Sequence, residues 1–342
     1  MASKKTLLED IARELNVSKT LVSMVINGKG DAYGISKKTQ EKVLNKAAEL
    51  QYTPNMFARA LRTGKSNLIG LLVADISNSF YSNIAKHVEK ALAEKGYNLM
   101  ICSTDENIDR EEKLIQLFGE QQIIDGLIVA TTNTSGEFFK KERLRNFPIV
   151  FIDRYLPDID SNYVVADNYQ GSFELTDLLI HKGCRNIVAF NITPSHISSL
   201  KDRVRGFKDA LAKYNLAFGP DNLVEISFNN IGGDVREKLI ALLKQPGKID
   251  AIYTLNNHIA VACLHVFNEL AIDMKKEGIY FASFDDISLF DFVKPSVISV
   301  SQPLERIGEE AASLVLKLIG QRNAGDIEYE KVILPTSIIS RN

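Results

Sequence analysis

Residues 8–27 read LEDIARELNVSKTLVSMVIN, and the fold of the first fifty residues follows from how that stretch is divided. Leu8, Ile11, Ala12 and Leu15 recur at helical spacing, and Val17, Val22, Val25 and Ile26 supply the matching face of the second helix. Asn16 to Ser18 separates the two, with Ser18 placed as an N-cap whose hydroxyl accepts from the free backbone N–H groups of the second helix. Two short helices bury little surface, so a third is needed, and residues 36–50 offer Val43, Leu44, Ala47 and Leu50 for it. The outer face of the second helix then carries Lys19, Thr20, Ser23 and Met24. A helix-turn-helix that places its second helix in a DNA major groove has this geometry, and so does an ordinary helical hairpin with a solvated face.

Outward from that stretch, charge is unevenly spread. Residues 1–65 hold 12 Lys and Arg against 6 Asp and Glu, a net of +6, while the remainder holds 29 against 37, a net of −8. A basic head on an acidic body suits a protein whose front meets phosphate. The 342 residues give room for two or three domains, and 45% hydrophobic with 25% charged residues is the composition of a soluble globular chain. No apolar run approaches the roughly 18 residues that span a bilayer. The start, MASKKTLLED, lacks the apolar core of a signal peptide, so the cytoplasm is the expected location. Cys102, Cys184 and Cys263 are odd in number and far apart, which points to buried thiols rather than to a disulfide frame or a metal site.

Residues 28–34 read as a loop, and Tyr52-Thr53-Pro54 stops the third helix. Residues 55–65, NMFARALRTGK, combine helix-forming residues with Arg59, Arg62 and Lys65 but are too short for a stable lone helix. They read either as a frayed end of the head or as a segment that becomes helical only beside its dimer mate on DNA. From residue 67 the texture changes to alternating strands and helices. Strands are expected at 68–74, 98–104, 126–130, 149–153, 187–191, 224–228, 251–255, 279–283, 297–300 and 329–333. Helices are expected at 80–95, 109–121, 138–145, 169–182, 201–214, 234–245, 259–270 and 305–318. So many βαβ units imply two lobes with parallel, doubly wound sheets, and ligands in such sheets bind beyond the carboxyl ends of the strands.

The chain resembles the LacI/GalR family of bacterial transcription regulators. The likeness rests on DIARELNVSKTLVSMVIN, ISKKTQEKV and YTPNMFARALRTGKSNLIGLLV in the head. In the body it rests on DISNSFYSNI, GYNLMICSTDEN, DGLIVA, PIVFIDR, VVADNYQGSFELTDLLI, RVRGFKDAL and VISVSQPLERIGEEAA, all in the family's order and spacing. The resemblance implies an all-α helix-turn-helix head over residues 1–54, a hinge helix or linker over 55–66, and a periplasmic-binding-protein-like body of two α/β lobes over 67–342. It further implies a repressor that binds a palindromic operator in double-stranded DNA as a homodimer and answers to a small carbohydrate effector, with no membrane partner, cofactor, metal or catalytic residue.

Carried over residue by residue, the DNA-binding set is Ser18, Lys19, Thr20, Ser23, Met24, Asn27, Asn55, Ala58, Arg59 and Leu61. Lys19 and Thr20 match base-reading positions, Ser23 lies close to the DNA backbone, and Leu61 matches a leucine that paired hinge helices wedge into the minor groove. Met24 stands where many relatives have Arg, which removes roughly 1–3 kcal/mol of discrimination at one base pair. Leu21 replaces a common Thr, and the loop 28–34 is longer than usual.

The effector-binding set is Asn78, Phe80, Tyr81, Asp153, Arg154, Arg203, Asn256, Asp285 and Gln302. Carboxylates at 153 and 285 accept from vicinal hydroxyls, Arg203 donates to oxygen, and the rings of Phe80 and Tyr81 face the C–H side of a sugar. Helix capping for the two aspartates and lobe core for the two aromatics are the structural alternatives. Two other functions fit the same body: a regulator using a phosphoprotein corepressor, and a sugar receptor or enzyme. The sequence lacks the GxSxG, GxxxxGK[ST] and HExxH patterns.

Overall fold

The computed structural model describes residues 6–53, 64–120, 123–141, 144, 147–193, 196–244, 249–294, 296–321 and 328–341. The chain divides into two compact units between Ser66 and Asn67.

The first unit is three helices: α1 (Leu8–Leu15), α2 (Lys19–Ile26) and α3 (Lys37–Glu49). Ile11, Ala12, Val22, Val25, Val43 and Ala47 form its core. The turn between α1 and α2 closes through Asn16, whose left-handed backbone (φ 51) lets Val17 N–H bond back to Ala12 O at 3.0 Å. Leu44, expected in this core, is exposed, because the three-helix contact needs only the narrower stripe of Val43 and Ala47.

The second unit holds two six-stranded sheets. The first lobe carries β1 (Leu68–Val73), β2 (Asn98–Ser103), β3 (Gly126–Val129), β4 (Ile149–Ile152), β5 (Asn162–Ala166) and β11 (Lys331–Leu334) in the order β2-β1-β3-β4-β5-β11, all parallel. The second carries β6 (Ile187–Thr193), β7 (Leu223–Ser227), β8 (Ala251–Thr254), β9 (Tyr280–Phe284), β10 (Ile298–Ser301) and β12 (Ser337–Ser340) in the matching order β7-β6-β8-β9-β10-β12, with β12 antiparallel. Central strands such as LIGLLV in β1 are apolar throughout because helices cover both faces of the sheet.

In the first lobe, α4 (Ser79–Ala93) and α11 (Leu304–Gln321) cover one face and α5 (Ile108–Glu120) lies on the other. In the second, α6 (Asn168–His181) and α7 (Ser198–Lys213) cover one face, and α8 (Ile231–Leu243), α9 (Asn257–Glu269) and the short α10 (Met274–Glu277) the other. The helix pairs approach closely through glycine. A Cβ at Gly206 of α7 would stand 2.3 Å from Tyr169 O of α6, and one at Gly308 of α11 would stand 3.0 Å from Val88 N of α4. The chain crosses between lobes three times: from β5 into α6, from β10 into α11, and from β11 to β12.

Three expectations are corrected. In place of a helix over 138–145, a 3-10 turn (Gly136–Phe138) leads into irregular chain among the described residues. Phe138, Phe139, Leu144 and Phe147 are all buried there, and at helical spacing those four positions would spread around the helix instead of sharing one stripe. The strands β5 and β12 are not among those expected. Each is a run of four or five residues that becomes a strand by pairing with a distant partner, Lys331–Leu334 and Ile298–Ser301 respectively. Among the described residues, no helix is long and apolar enough to cross a membrane, and no group of three or more His, Cys, Asp or Glu is placed to hold a metal.

Candidate functional site

Parallel strands deliver their carboxyl ends to the gap between the lobes, and a cleft lies there. Eight of the nine expected effector residues line it; Gln302 does not. Gln302 stands behind the wall on the second crossover, where its side-chain amide donates to Asp285 Oδ1 at 2.6 Å and its own Oε1 is buried without a partner.

From the first lobe, the loop after β1 brings Asn78, which caps α4 by accepting from Phe80 N–H at 3.0 Å. Phe80 and Tyr81 are both buried and meet edge to face, with centroids 4.9 Å apart. The alternative of lobe core therefore holds for part of each ring, since both also belong to the apolar cluster beneath the sheet. After β4 come Asp153 and Arg154. Asp153 Oδ2 accepts from Tyr81 Oη at 2.9 Å and from Arg154 Nε at 3.1 Å. Burial drives the Tyr81 phenol well above its ordinary range, so it serves as a neutral donor.

Glu106, in the turn after β2, was not singled out from sequence, yet it forms a two-pronged ion pair with Arg154: Oε1 to Nη2 at 2.5 Å and Oε2 to Nη1 at 2.9 Å. Burial pushes the Glu106 carboxyl up, but the Arg154 charge and hydrogen bonds outweigh it and hold the group below its ordinary value. Asp105 and Glu106 both have positive φ (54 and 53) in the turn that aims this side chain, a conformation that residue order does not announce.

From the second lobe, Arg203 of α7 donates through Nε to Asn168 Oδ1 at 2.8 Å and through Nη1 to Leu255 O at 2.7 Å. Its Nη2 stands 3.8 Å from Asp285, and the guanidinium lies over the Phe284 ring. Burial raises the Asp285 carboxyl above its ordinary value against the pull of Arg203 and Gln302. Asn256 caps α9, accepting from His258 N–H at 2.8 Å. His258 also lines the cleft, and burial holds its imidazole below the usual range. The lobes touch through Asn78 and Asn257, which exchange amide hydrogen bonds at 2.8 and 3.3 Å, and through His196 Nε2 and Thr132 O at 3.1 Å.

In the first unit, Ser18 caps α2 as expected, with Oγ accepting from Leu21 N–H at 3.1 Å. Lys19 and Thr20 are exposed and Ser23 and Met24 half-buried on α2. Lys19 Nζ meets Glu9 of α1 at 2.5 Å in an exposed pair, a contact weak enough in water to be exchanged for a phosphate. Asn27 ends α2 with its side-chain amide donating to Ser23 O at 2.6 Å. Asn55, Ala58, Arg59 and Leu61 lie outside the described residues.

Residues 7–55 match the family described as bacterial regulatory proteins, lacI family, and residues 66–341 match periplasmic binding proteins and sugar binding domain of LacI family. The ribose operon repressor of Halalkalibacterium halodurans is 31% identical over 98% of this chain and 96% of its own length. Among solved structures, a lac repressor dimer bound to operator and the anti-inducer ONPF superposes with a TM-score of 0.84 at 20% identity, over 99% of this chain and 98% of that one. A complex of the transcriptional regulator CelR with cellobiose superposes with a TM-score of 0.68 at 24% identity, over 98% and 99%. By both of its parts and nearly its whole length, the chain belongs to the lacI family of bacterial regulatory proteins.

Proposed function

We propose that this protein is a transcriptional repressor that grips a palindromic operator as a homodimer, with α2 in the major groove, and lets go or tightens when a carbohydrate fills the cleft. The observation that carries the effector part is the pair of buried carboxylates, Asp153 and Asp285, offered to one cleft from opposite lobes. A polyhydroxylated ring satisfies both at once, and only when the lobes hold one relative angle. A ligand that binds that angle better shifts the population toward it; equal binding to both arrangements shifts nothing. Asn78 and Asn257, paired across the lobes, are placed to feel that shift.

In the head, Lys19 and Thr20 read bases, Ser18, Ser23 and Asn27 meet the phosphate backbone, and Met24 adds apolar contact. Residues 55–66 act as the joint, with Asn55, Ala58, Arg59 and Leu61 at the DNA. In the body, Asn78, Phe80, Tyr81, Arg154, Arg203 and Asn256 complete the effector wall, and Gln302 positions Asp285. The role is binding and switching, carried out in the cytoplasm, with no chemical step.

Selection of duplexes from a random library tests the head, followed by gel shift with and without neutral sugars. An enriched palindrome whose affinity changes with one sugar supports the proposal. Failure to retain any duplex at moderate salt refutes the DNA-binding role, and a retained palindrome indifferent to every metabolite refutes the carbohydrate effector.

A further inference from the structure

The cleft holds two guanidinium groups among its described lining residues; Arg154 is saturated by the protein, and Arg203 is partly spent and faces a carboxylate. Arg154 has five N–H donors, and the protein supplies five acceptor contacts. Nε faces Asp153, Nη1 faces Glu106 and Thr131 O, and Nη2 faces Glu106 and Tyr81 Oη, all between 2.5 and 3.3 Å. Arg203 spends Nε and one N–H of Nη1 on Asn168 and Leu255, and its Nη2 stands beside Asp285, so an anion brought to that end would also meet the carboxylate. Arginine recognises a carboxylate or phosphate through two parallel bonds, and Arg154 has no pair of N–H groups left to make them. Four acids, Asp75, Glu106, Asp153 and Asp285, line the same cleft against those two arginines. His258 adds no compensating charge near neutral pH, since burial lowers its pKa.

We infer that the effector is a neutral, hydroxyl-rich carbohydrate, that its phosphorylated or acid counterparts are refused, and that Glu106 determines this specificity by saturating Arg154. The inference rests on the carbohydrate reading given above and adds the charge of the ligand and the residue that sets it. Glu106 acts through Arg154 rather than through the ligand alone. Without its two oxygens, the guanidinium regains unpaired donors on the cleft wall and becomes an anion site.

The test uses the full-length protein and matched compounds: neutral pentoses and hexoses, each beside its phosphate ester or aldonate, with inorganic phosphate as a probe that needs no knowledge of the effector. Calorimetry on the unaltered protein is expected to give a neutral sugar that binds at least about a hundredfold tighter than its charged partner, the size of a like-charge penalty of several kcal/mol. In Glu106→Gln, inorganic phosphate is expected to raise the melting temperature where it has no effect on the unaltered protein, and the gain disappears in the double variant with Arg154→Gln. If Glu106→Gln does not fold, Glu106→Asp, which keeps the charge but cannot span both Nη atoms, takes its place with a smaller gain. A charged sugar that binds the unaltered protein as tightly as its neutral partner overturns the charge rule. Absence of any phosphate gain in a folded Glu106 variant overturns the role of Glu106. If no sugar of either kind binds, the carbohydrate reading itself falls and the charge rule with it.

Discussion

Asp153 and Asp285 each follow directly on a parallel strand, and both have left-handed backbone, with φ of 62 and 73. Such a conformation costs a non-glycine residue about 1–3 kcal/mol, and it persists because the surrounding bonds fix it. For Asp285 those bonds come from Gln302 and Arg203, and for Asp153 from Tyr81 and Arg154. The two carboxylates that define the cleft are thus turned toward it at the expense of stability.

The acids of the cleft also respond to pH in opposite senses. Burial raises Asp285, so its charged form is disfavoured in the fold, and the stability it withholds at neutral pH is regained as pH falls through its raised pKa. Glu106 is held low, so its contribution is present above its unfolded pKa and is lost only when pH falls through the depressed folded value. Protonating Asp285 therefore removes a charged acceptor from the cleft while relieving a cost to the fold, whereas protonating Glu106 gives up its pair with Arg154. Affinity for the neutral effector is expected to fall as Asp285 takes its proton, without a matching loss of stability from that residue, and Asp285→Asn is expected to flatten that profile at a low affinity. Calorimetry and melting curves over the same pH series check this. An affinity that stays constant as pH falls, or a profile unchanged in Asp285→Asn, contradicts it.

At the scale of elements, α2 has eight residues and is too short to be stable alone. Two things hold it: burial of Val22 and Val25, and the Ser18 cap. Replacement Ser18→Ala is expected to cost the head about 1 kcal/mol, because the Leu21 N–H in the first turn loses its acceptor. Hydrogen exchange at the Leu21 amide, and denaturation of the first unit, read that loss directly. An unchanged exchange rate at Leu21 would show that the cap contributes nothing. The helix pairs of the body are set differently, by absent side chains: Gly206 and Gly308 let α7 onto α6 and α11 onto α4 at distances a Cβ would forbid.

At the scale of the molecule, the body is one pattern used twice, with matching strand orders and three crossings between the lobes. The crossings join the lobes, and the Asn78–Asn257 exchange and the His196–Thr132 contact hold them in the observed arrangement. Residues 55–66 link the switching body to the head and include Leu61, which lies outside the described residues. Leu61→Ala is expected to weaken operator binding by about a factor of ten or more through loss of a wedge worth a few kcal/mol of DNA deformation, while effector binding is unchanged. Gel shift and calorimetry on the same preparation separate the two, and equal operator affinity removes this role from Leu61.

Much of this was legible in residue order because the signals are local. A hydroxyl at position 18 bonds three residues on, the apolar run at 68–73 needs helices on both faces, and Asp153 and Asp285 follow strands whose carboxyl ends must border a cleft. The tertiary structure alone decided the rest. Glu106 finds Arg154 across 48 residues, Asn78 finds Asn257 across 179, and β12 is a strand only because β10 lies beside it. Local spacing fixes which groups a chain presents and on which face. Which of them neutralise one another depends on contacts that exist only after loops of that length have closed, and so the charge available to a ligand is written in the fold.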